Sequence, residues 1–318
     1  MAIPLIELLK EKFPGAGIDI LLRPEARNLI ETNPDLGEYI VFDKHKTHRG
    51  FGGLRTMIRR LADKKYDLCI TPHRSWRSAY LTLKTKAPKR IGFDRSAWKG
   101  AYTDIVPYYQ SDHEIERNLS LLKPLAIHSR IRRPKIYPSA EDKQYAESCL
   151  NFTGNKMVAL APGSIWPTKR WPASYFSELA GLLNEKGYYV VLIGGKDDYP
   201  LCEFISDNGR QGQNLAGYLS LRQTCHILTL CSCLVTNDSA PLHLGTAAGI
   251  PVIAIFGPTV PEFGFSPIGT VDGVIELKGL QCRPCGMHGH RKCPVKTFAC
   301  MEQVTPGMVW QEIQQRIN

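Results

Sequence analysis

Short apolar runs alternate with amphipathic stretches of about a dozen residues along this whole sequence, and no other feature limits the fold as strongly. In the first part the apolar runs are "IDILL" (18–22), "EYIVF" (38–42), "DLCITP" (67–72) and "RIGF" (90–93). In the second they are "KMVALAP", "YYVVLIGG", "QNLAG", "CLVTN" and "PVIAIFG". Helical patterns lie between them. In "FGGLRTMIRRLADKK", Leu54, Ile58 and Leu61 recur at helical spacing, and residues 173–186 and 239–248 form two more. This order predicts an α/β chain with parallel sheets and right-handed crossovers, twice over. At 318 residues and 43% hydrophobic content the chain can bury two cores. The expected domains are 1–150 and 151–318, joined within 128–155, where extended "RIRRPKIYPS" leads through a short helix (140–150) into "FTGNK". There are no internal repeats or low-complexity segments.

Charge is unevenly spread. Residues 1–133 carry 25 Lys and Arg against 15 Asp and Glu, and residues 134–318 carry 15 of each, so the whole net charge of +10 lies in the first part. A basic surface of that kind suits a polyanion, an anionic membrane face or an acidic glycan, and equally an ordinary solvated surface. Nucleic acid is the weakest of these readings, because no recognition motif accompanies the charge. No apolar run reaches the length of a membrane span, and the amphipathic opening "MAIPLIELLKEKF" lacks the cleavage site of a signal peptide. The ten irregularly spaced cysteines point to a reducing, cytoplasmic setting. The chain opens directly on a helix, with Pro4 in its first turn and Ile3, Ile6, Leu9 and Phe13 on one face, where a doubly wound sheet ordinarily begins with a strand.

Chemistry concentrates at the ends of the second-part strands. In "VALAPGSIWPTKRWPASYF" a strand ends at Pro162, Gly163-Ser164 turns, Lys169 follows and a helix begins near Pro172. A serine hydroxyl, an ammonium and helix N–H groups suit a phosphate, although an ordinary βα loop with solvated cations also reads this way. It is not a Walker A sequence, and no GxGxxG follows any strand. In "LVTNDSAPLHLGTAAGIPVIAIFGPT" the cluster Asn237-Asp238-Ser239 caps a helix holding Ala240 and His243, with capping itself the plainest role for Asp238. Two such helix starts on one sheet edge suggest a nucleoside diphosphate. Asp197 and Asp198 in "LIGGKDDYP" are placed to accept hydroxyl hydrogen bonds, or simply to face solvent. "LAGYLSL" (215–221), with Leu219, offers backbone groups to a base. In the first part, Arg74, Ser75, Arg77 and Ser78 end a strand, and His113 and Arg117 lie on a helix in "DHEIERN"; the guanidiniums suit acidic groups of an acceptor or plain surface ion pairs. Cys282, Cys285, Cys293 and Cys300 make one CxxC with two further thiols, which reads as a structural zinc site or as reduced loop thiols.

Taken together, "APGSIWPTKRWP", "NDSAPLHLGTAAGIPVIAIFGPT", "HEIER" and the C-x-x-C…C-P…C-M loop resemble glycosyltransferase family 9, the heptosyltransferases of the lipopolysaccharide inner core, over nearly the whole chain. The cysteine loop looks more like the branch that adds the second heptose. The resemblance implies a GT-B architecture, with two Rossmann-like domains facing a cleft and a C-terminal helix packing back on the first. It implies ADP-heptose as donor and metal-independent transfer with inversion, with no cofactor required. The acceptor would be a Kdo- or heptosyl-lipid A, met at the cytoplasmic face of the inner membrane. Lys169 and Asp238 would serve catalysis. Gly163, Ser164, Lys169, Asp197, Asp198, Leu219, Asp238, Ser239, Ala240 and His243 would hold the donor, and Arg74, Ser75, Arg77, Ser78, His113 and Arg117 the acceptor.

One departure stands out. Family members begin with a strand and a Gly-Asp loop whose aspartate is the proposed base, and this sequence starts at the helix that follows. A start codon placed too late, a shortened chain and an inactive remnant all account for it, and the otherwise intact site favours the first. The alternatives to a heptosyltransferase are a related transferase using another nucleotide sugar and a remnant that binds nucleotide or glycan without turnover.

Overall fold

The computed structural model describes residues 1–152, 154 and 156–317; Thr153 and Asn155 of the expected linker lie outside the described residues. The chain divides into two compact units, Met1–Pro134 and Lys135–Asn318.

The first unit contains α1 (Ile3–Lys12), β1 (Asp19–Leu22), α2 (Arg27–Ile30), β2 (Glu38–Val41), α3 (Gly50–Asp63), β3 (Leu68–Thr71), α4 (Trp76–Lys84), β4 (Lys89–Phe93), β5 (Asp104–Val106) and α5 (Glu114–Ser120). The second runs α6 (Ala140–Ser148), β6 (Met157–Ala161), α7 (Ala173–Glu185), β7 (Tyr189–Leu192), α8 (Tyr199–Ser206), β8 (Gln213–Asn214), α9 (Leu221–Thr229), β9 (Cys233–Asn237), α10 (Ala240–Ala248), β10 (Val252–Phe256), β11 (Gly273–Glu276), α11 (Ala299–Glu302) and α12 (Pro306–Gln314). Among the described residues no helix is long and apolar enough to cross a membrane.

The second unit is a parallel six-stranded sheet in the order β11-β10-β9-β6-β7-β8. From β6 the chain steps outward to β7 and β8, then returns to the centre and steps the other way through β9, β10 and β11. That reversal puts β6 beside β9, with Ala161 opposite Thr236. Loops leaving two adjacent strands in opposite directions open a crevice at their carboxyl ends. Every residue of β6, β9 and β10 is buried, as in strands covered on both faces, and only Thr236 and Asn237 at the end of β9 interrupt their apolar sequences. Trp171, just before α7, and Phe176, Leu179 and Leu183 of α7 pack in one core with Val309 and Ile313 of α12. Gly245 of α10 faces Leu234 and Val252, where a methyl group would come within 2.7 Å of each, so its absence lets the helix sit close to the sheet.

The first unit is divided. β1 pairs only with β2, and β3, β4 and β5 form a separate parallel sheet. β1 and β3 are largely half-buried, where β6, β9 and β10 of the second unit are fully buried.

Several expectations shift at the level of single elements. "QNLAG" yields only two strand residues, because Gly217 at φ +79° turns the chain. β5 and β11 have no counterpart among the apolar runs read from the sequence. Pro172 caps α7 from outside rather than sitting in its first turn, and a 3-10 turn, Pro167–Lys169, precedes it. Phe13, expected on the buried face of α1, is 40% exposed.

Candidate active site

The site forms where β6, β9 and β10 end. After β6, Pro162 and Gly163 are buried and the chain turns through Ser164 into the 3-10 turn that carries Lys169. Arg170 Nε donates to the Ser164 carbonyl at 2.8 Å, and the Trp166 amide donates to Ser164 Oγ at 3.4 Å, so the loop is braced from within. Asn237, the last residue of β9, ties the two strand exits together. Its Nδ2 donates to the Pro162 carbonyl at 2.8 Å and its Oδ1 accepts from the Trp171 amide at 3.0 Å. Asn237 is wholly buried and both ends of its amide are satisfied.

This frame brings Lys169 to Asp238. The Lys169 ammonium lies 2.5 Å from Asp238 Oδ2, and Thr259 Oγ1, in the loop after β10, donates to the same oxygen at 2.6 Å. The two charged side chains are only 12% and 11% exposed. Asp238 was expected to cap α10, and the structure corrects this. Ser239 occupies the N-cap position and makes no side-chain cap bond, and the Asp238 carboxylate is turned to the lysine. Ser239 Oγ is buried with no hydrogen-bond partner in the structure. Ala240 opens α10, and His243, one turn on, packs its ring 6.5 Å from Phe265.

Asp198 lies against the same turn. Its Oδ2 accepts from the Gly195 amide at 2.9 Å, and a Cβ on Gly163 would stand 2.4 Å from its carboxylate, so Gly163 is required by close approach. Asp197 is exposed one residue away, and Leu219 lies half-buried in the turn before α9. The Gly217 amide donates to the Gly194 carbonyl at 3.0 Å, joining that turn to the Asp198 loop.

The cysteine loop braces the site. The Thr168 amide and hydroxyl both donate to the His290 carbonyl, at 3.2 and 3.0 Å. Gly289 fits against Trp166 and Lys169, where a methyl group would collide at 2.6 and 3.0 Å. Arg283, 6% exposed, donates to the carbonyls of Leu277 (2.7 Å) and Thr259 (2.8 Å) and pairs with Glu276 at 2.8 Å. The loop thus grips both the Lys169 segment and the Thr259 segment. Sequence reading missed Thr259, Asn237 and Arg283. Asn237 and Thr259 stand inside quoted motifs, whereas a lone arginine in a basic loop carries no signal. Cys282, Cys285, Cys293 and Cys300 are free thiols, and among the described residues no three His, Cys, Asp or Glu side chains are grouped to hold a metal.

In the first unit, Ser75 caps α4 by accepting from the Ser78 amide, and Ser78 Oγ lies 2.9 Å from His73 Nδ1. Arg77 is exposed. Arg74 lies over the Tyr108 ring at 4.0 Å. Arg117 is 2% exposed and spent within the fold, donating to Tyr109 O, Gln110 O and Tyr108 Oη and pairing with Glu114. His113 caps α5 through Nδ1, which accepts from the Ile115 amide. Arg74, Ser75 and Ser78 therefore stand together at the end of β3, while His113 and Arg117 hold the Tyr108 loop that supports Arg74.

Two α/β units in one chain, the second doubly wound with Lys169 and Asp238 at its strand reversal, have the architecture of the GT-B glycosyltransferases. Residues 54–296 match glycosyltransferase family 9 (heptosyltransferase), and the chain belongs to that family. Lipopolysaccharide heptosyltransferase 2 of Salmonella typhimurium is 27% identical over 279 residues, 83% of this chain and 80% of that protein. The structure of E. coli ADP-heptose lipopolysaccharide heptosyltransferase II superposes with a TM-score of 0.80 at 25% identity, covering 99% of this chain and 94% of the other. A family 9 glycosyl transferase from Veillonella parvula superposes at 0.86 with 23% identity, covering 99% and 92%.

Proposed function

We propose that this enzyme transfers L-glycero-D-manno-heptose from ADP-heptose to the lipopolysaccharide inner core, with inversion and without a metal, in the manner of heptosyltransferase II. The observation that carries the reading is the convergence of Lys169 and Thr259 on Asp238 beside the Ser164 turn. In the reaction the acceptor hydroxyl attacks the anomeric carbon and gives up its proton to water, the bond to the diphosphate breaks, and both electrons leave with ADP. The barrier falls if positive charge waits where that negative charge develops. Lys169 is the mobile charge. Asp238 holds it when the donor is absent and keeps its bond to Thr259 when the ammonium turns to phosphate. Ser164 and the unpartnered Ser239 hydroxyl supply donors to phosphate oxygens, with the α10 N-terminus behind them. Gly163, Ala240 and His243 shape the same pocket, and Asp197, Asp198 and Leu219 face the ribose and base. Arg74, Ser75, Arg77 and Ser78 receive Kdo carboxylates or lipid A phosphates at the cytoplasmic surface of an anionic inner membrane, supported by His113 and Arg117.

Thermal-shift titrations with ADP-heptose, ADP, UDP and GDP test this on the native chain and on Lys169→Ala. A ligand at a hundredfold its Kd stabilises by about 2.7 kcal/mol, which moves a domain of this size by several degrees. Stabilisation by the adenine ligands alone, lost in Lys169→Ala, is the expected result. Equal shifts with UDP or GDP would point instead to a related transferase with another donor.

A further inference from the structure

In "SWRSAY" (75–80) Trp76 and Tyr80 are four residues apart, so α4 brings both rings to one face. Tyr80 stacks with Trp76 at a centroid distance of 5.2 Å and an interplanar angle of 7°. It also stacks with Trp98, in the loop after β4, at 6.2 Å and 16°. The three rings are thus close to parallel. Trp98 packs against the cluster of Ala79, Ala101 and Tyr102, which fixes its end of the stack in the fold. The Ala97 amide donates to the Arg74 carbonyl at 3.0 Å and ties the Trp98 loop to the start of α4. The Lys84 ammonium stands over the Tyr80 ring, 5.4 Å from its centroid.

An aromatic pair at this spacing ordinarily belongs to a core, but this stack ends in water. Trp76 is 52% exposed, with Tyr80 against one face of its indole and the other face open. A flat ring already held in place loses little conformational freedom on binding. Its electron-rich face suits the C–H groups on the apolar side of a pyranose. The neighbours select among such rings. Arg77, beside Trp76, and Lys99, beside Trp98, are exposed cations, and the Ser75 and Ser78 hydroxyls lie 3.0 Å apart at the helix start. Cations and hydroxyls next to an aromatic face match a sugar that carries a carboxylate or a phosphate. A lipid bilayer is a poorer match, because an interfacial tryptophan inserts beside other apolar side chains, whereas this one stands between Ser75 and Arg77.

Given the acceptor site proposed at Arg74, Ser75, Arg77 and Ser78, on which this reading rests, we infer that Trp76 is the stacking platform for an anionic pyranose of the acceptor. Arg77 meets the acidic group of that ring, and Tyr80 and Trp98 hold the platform flat.

The probe is a water-soluble, de-acylated Kdo-glucosamine phosphate glycan, titrated onto the full chain by calorimetry. Saturable binding is expected, weakened about tenfold in Trp76→Ala and held within about threefold of native in Trp76→Phe, which keeps a flat face. In turnover the loss should appear in the acceptor KM. Arg77→Ala should weaken the glycan about tenfold and leave binding of its carboxyl-reduced, dephosphorylated form unchanged. The thermal shift with ADP-heptose should be the same in every variant, since the donor loops lie in the second unit. Equal affinity of the native chain and Trp76→Ala would overturn the inference. So would a Trp76→Leu variant that binds as well as Trp76→Phe, or a Trp76→Ala variant whose loss is of binding to anionic phospholipid vesicles free of glycan. A native chain that ignores the glycan but shifts with ADP-heptose overturns the platform alone, and one that ignores both overturns the heptosyltransferase reading with it.

Discussion

The Lys169 ammonium and the Thr259 hydroxyl meet on one carboxylate oxygen, Oδ2 of Asp238, at 2.5 and 2.6 Å. Three strand exits thus share a single atom, and the lysine is held in place before any phosphate arrives. Lys169→Ala is expected to lower kcat/KM for heptose transfer by about a hundredfold or more, the usual effect of removing one preorganised charge from a developing anion. Asp238→Asn frees the lysine without removing it and should cost about tenfold, mainly in donor affinity. Since both act through one arrangement, the double variant should be little worse than Lys169→Ala alone. Losses that multiply would show that the two residues work independently.

Arg283 connects the cysteine loop to the Thr259 segment through a buried guanidinium. Arg283→Ala leaves Glu276, 13% exposed, with only the distant, exposed Lys278 as a partner and takes a donor from four carbonyls. Urea denaturation should register a loss of about 3 kcal/mol. Donor affinity should fall with it, because Thr259 loses its brace. Arg283→Lys should recover little, since one ammonium cannot reach acceptors that a planar fork spans.

How far the sequence could be read follows the same physics. The strands β6, β9 and β10 were legible because burial on both faces forces long apolar runs, and the loops after them because Gly163, Ser164, Lys169 and Asp238 lie within a few residues of those runs. The pairing of Lys169 with Asp238 was not, since the residues are 69 positions apart and Asp238 next to Ser239 reads as a cap. The cysteine loop drew attention to its thiols, whereas its contacts with the site pass through the backbone of His290 and the side chain of Arg283. Backbone contacts leave no mark on residue type. Arg117 misled for the opposite reason. A guanidinium in a basic domain reads as a surface group, yet this one closes a loop internally.

Close approach of α10 to the sheet makes Gly245 a sensitive position. Gly245→Ala raises helix propensity and so would stabilise an open helix by up to about 1 kcal/mol. Here its methyl group meets Leu234 and Val252 at 2.7 Å, and overpacking should dominate, for a net loss of about 1–3 kcal/mol. Chemical denaturation fixes the sign, and a stabilised variant would show that the helix can lift without cost.

The thiols of the cysteine loop differ in reactivity. Burial raises the Cys293 thiol, but backbone N–H groups from Phe298, Val295, Lys296 and Thr297 outweigh it and hold the pKa below the ordinary value. Cys300, buried, is pushed up to about 11. At neutral pH iodoacetamide should therefore label Cys293 first and Cys300 slowest of the four, read by peptide mass spectrometry. Equal rates would contradict the backbone cradle around Cys293.

Asp142 provides the pH dependence. It joins α6 to α9 through a 2.6 Å contact with Arg222, the two side chains 8% and 10% exposed. Burial alone would raise its pKa, but the hydrogen bond and charge of Arg222, with the Ser139 bonds, outweigh burial and hold it below the ordinary carboxylate value. A group whose folded pKa is depressed stabilises the fold above its unfolded pKa, near 3.9, and loses that contribution as pH falls through the lower folded value. Asp142→Asn removes the carboxylate while leaving Arg222 buried, and at neutral pH should cost about 2–3 kcal/mol. Because the native carboxylate is itself protonated in acid, the gap between native and variant stability should narrow steadily from about pH 5 down to pH 2. A gap independent of pH across that range would mean that the contact stabilises through its shape and not its charge.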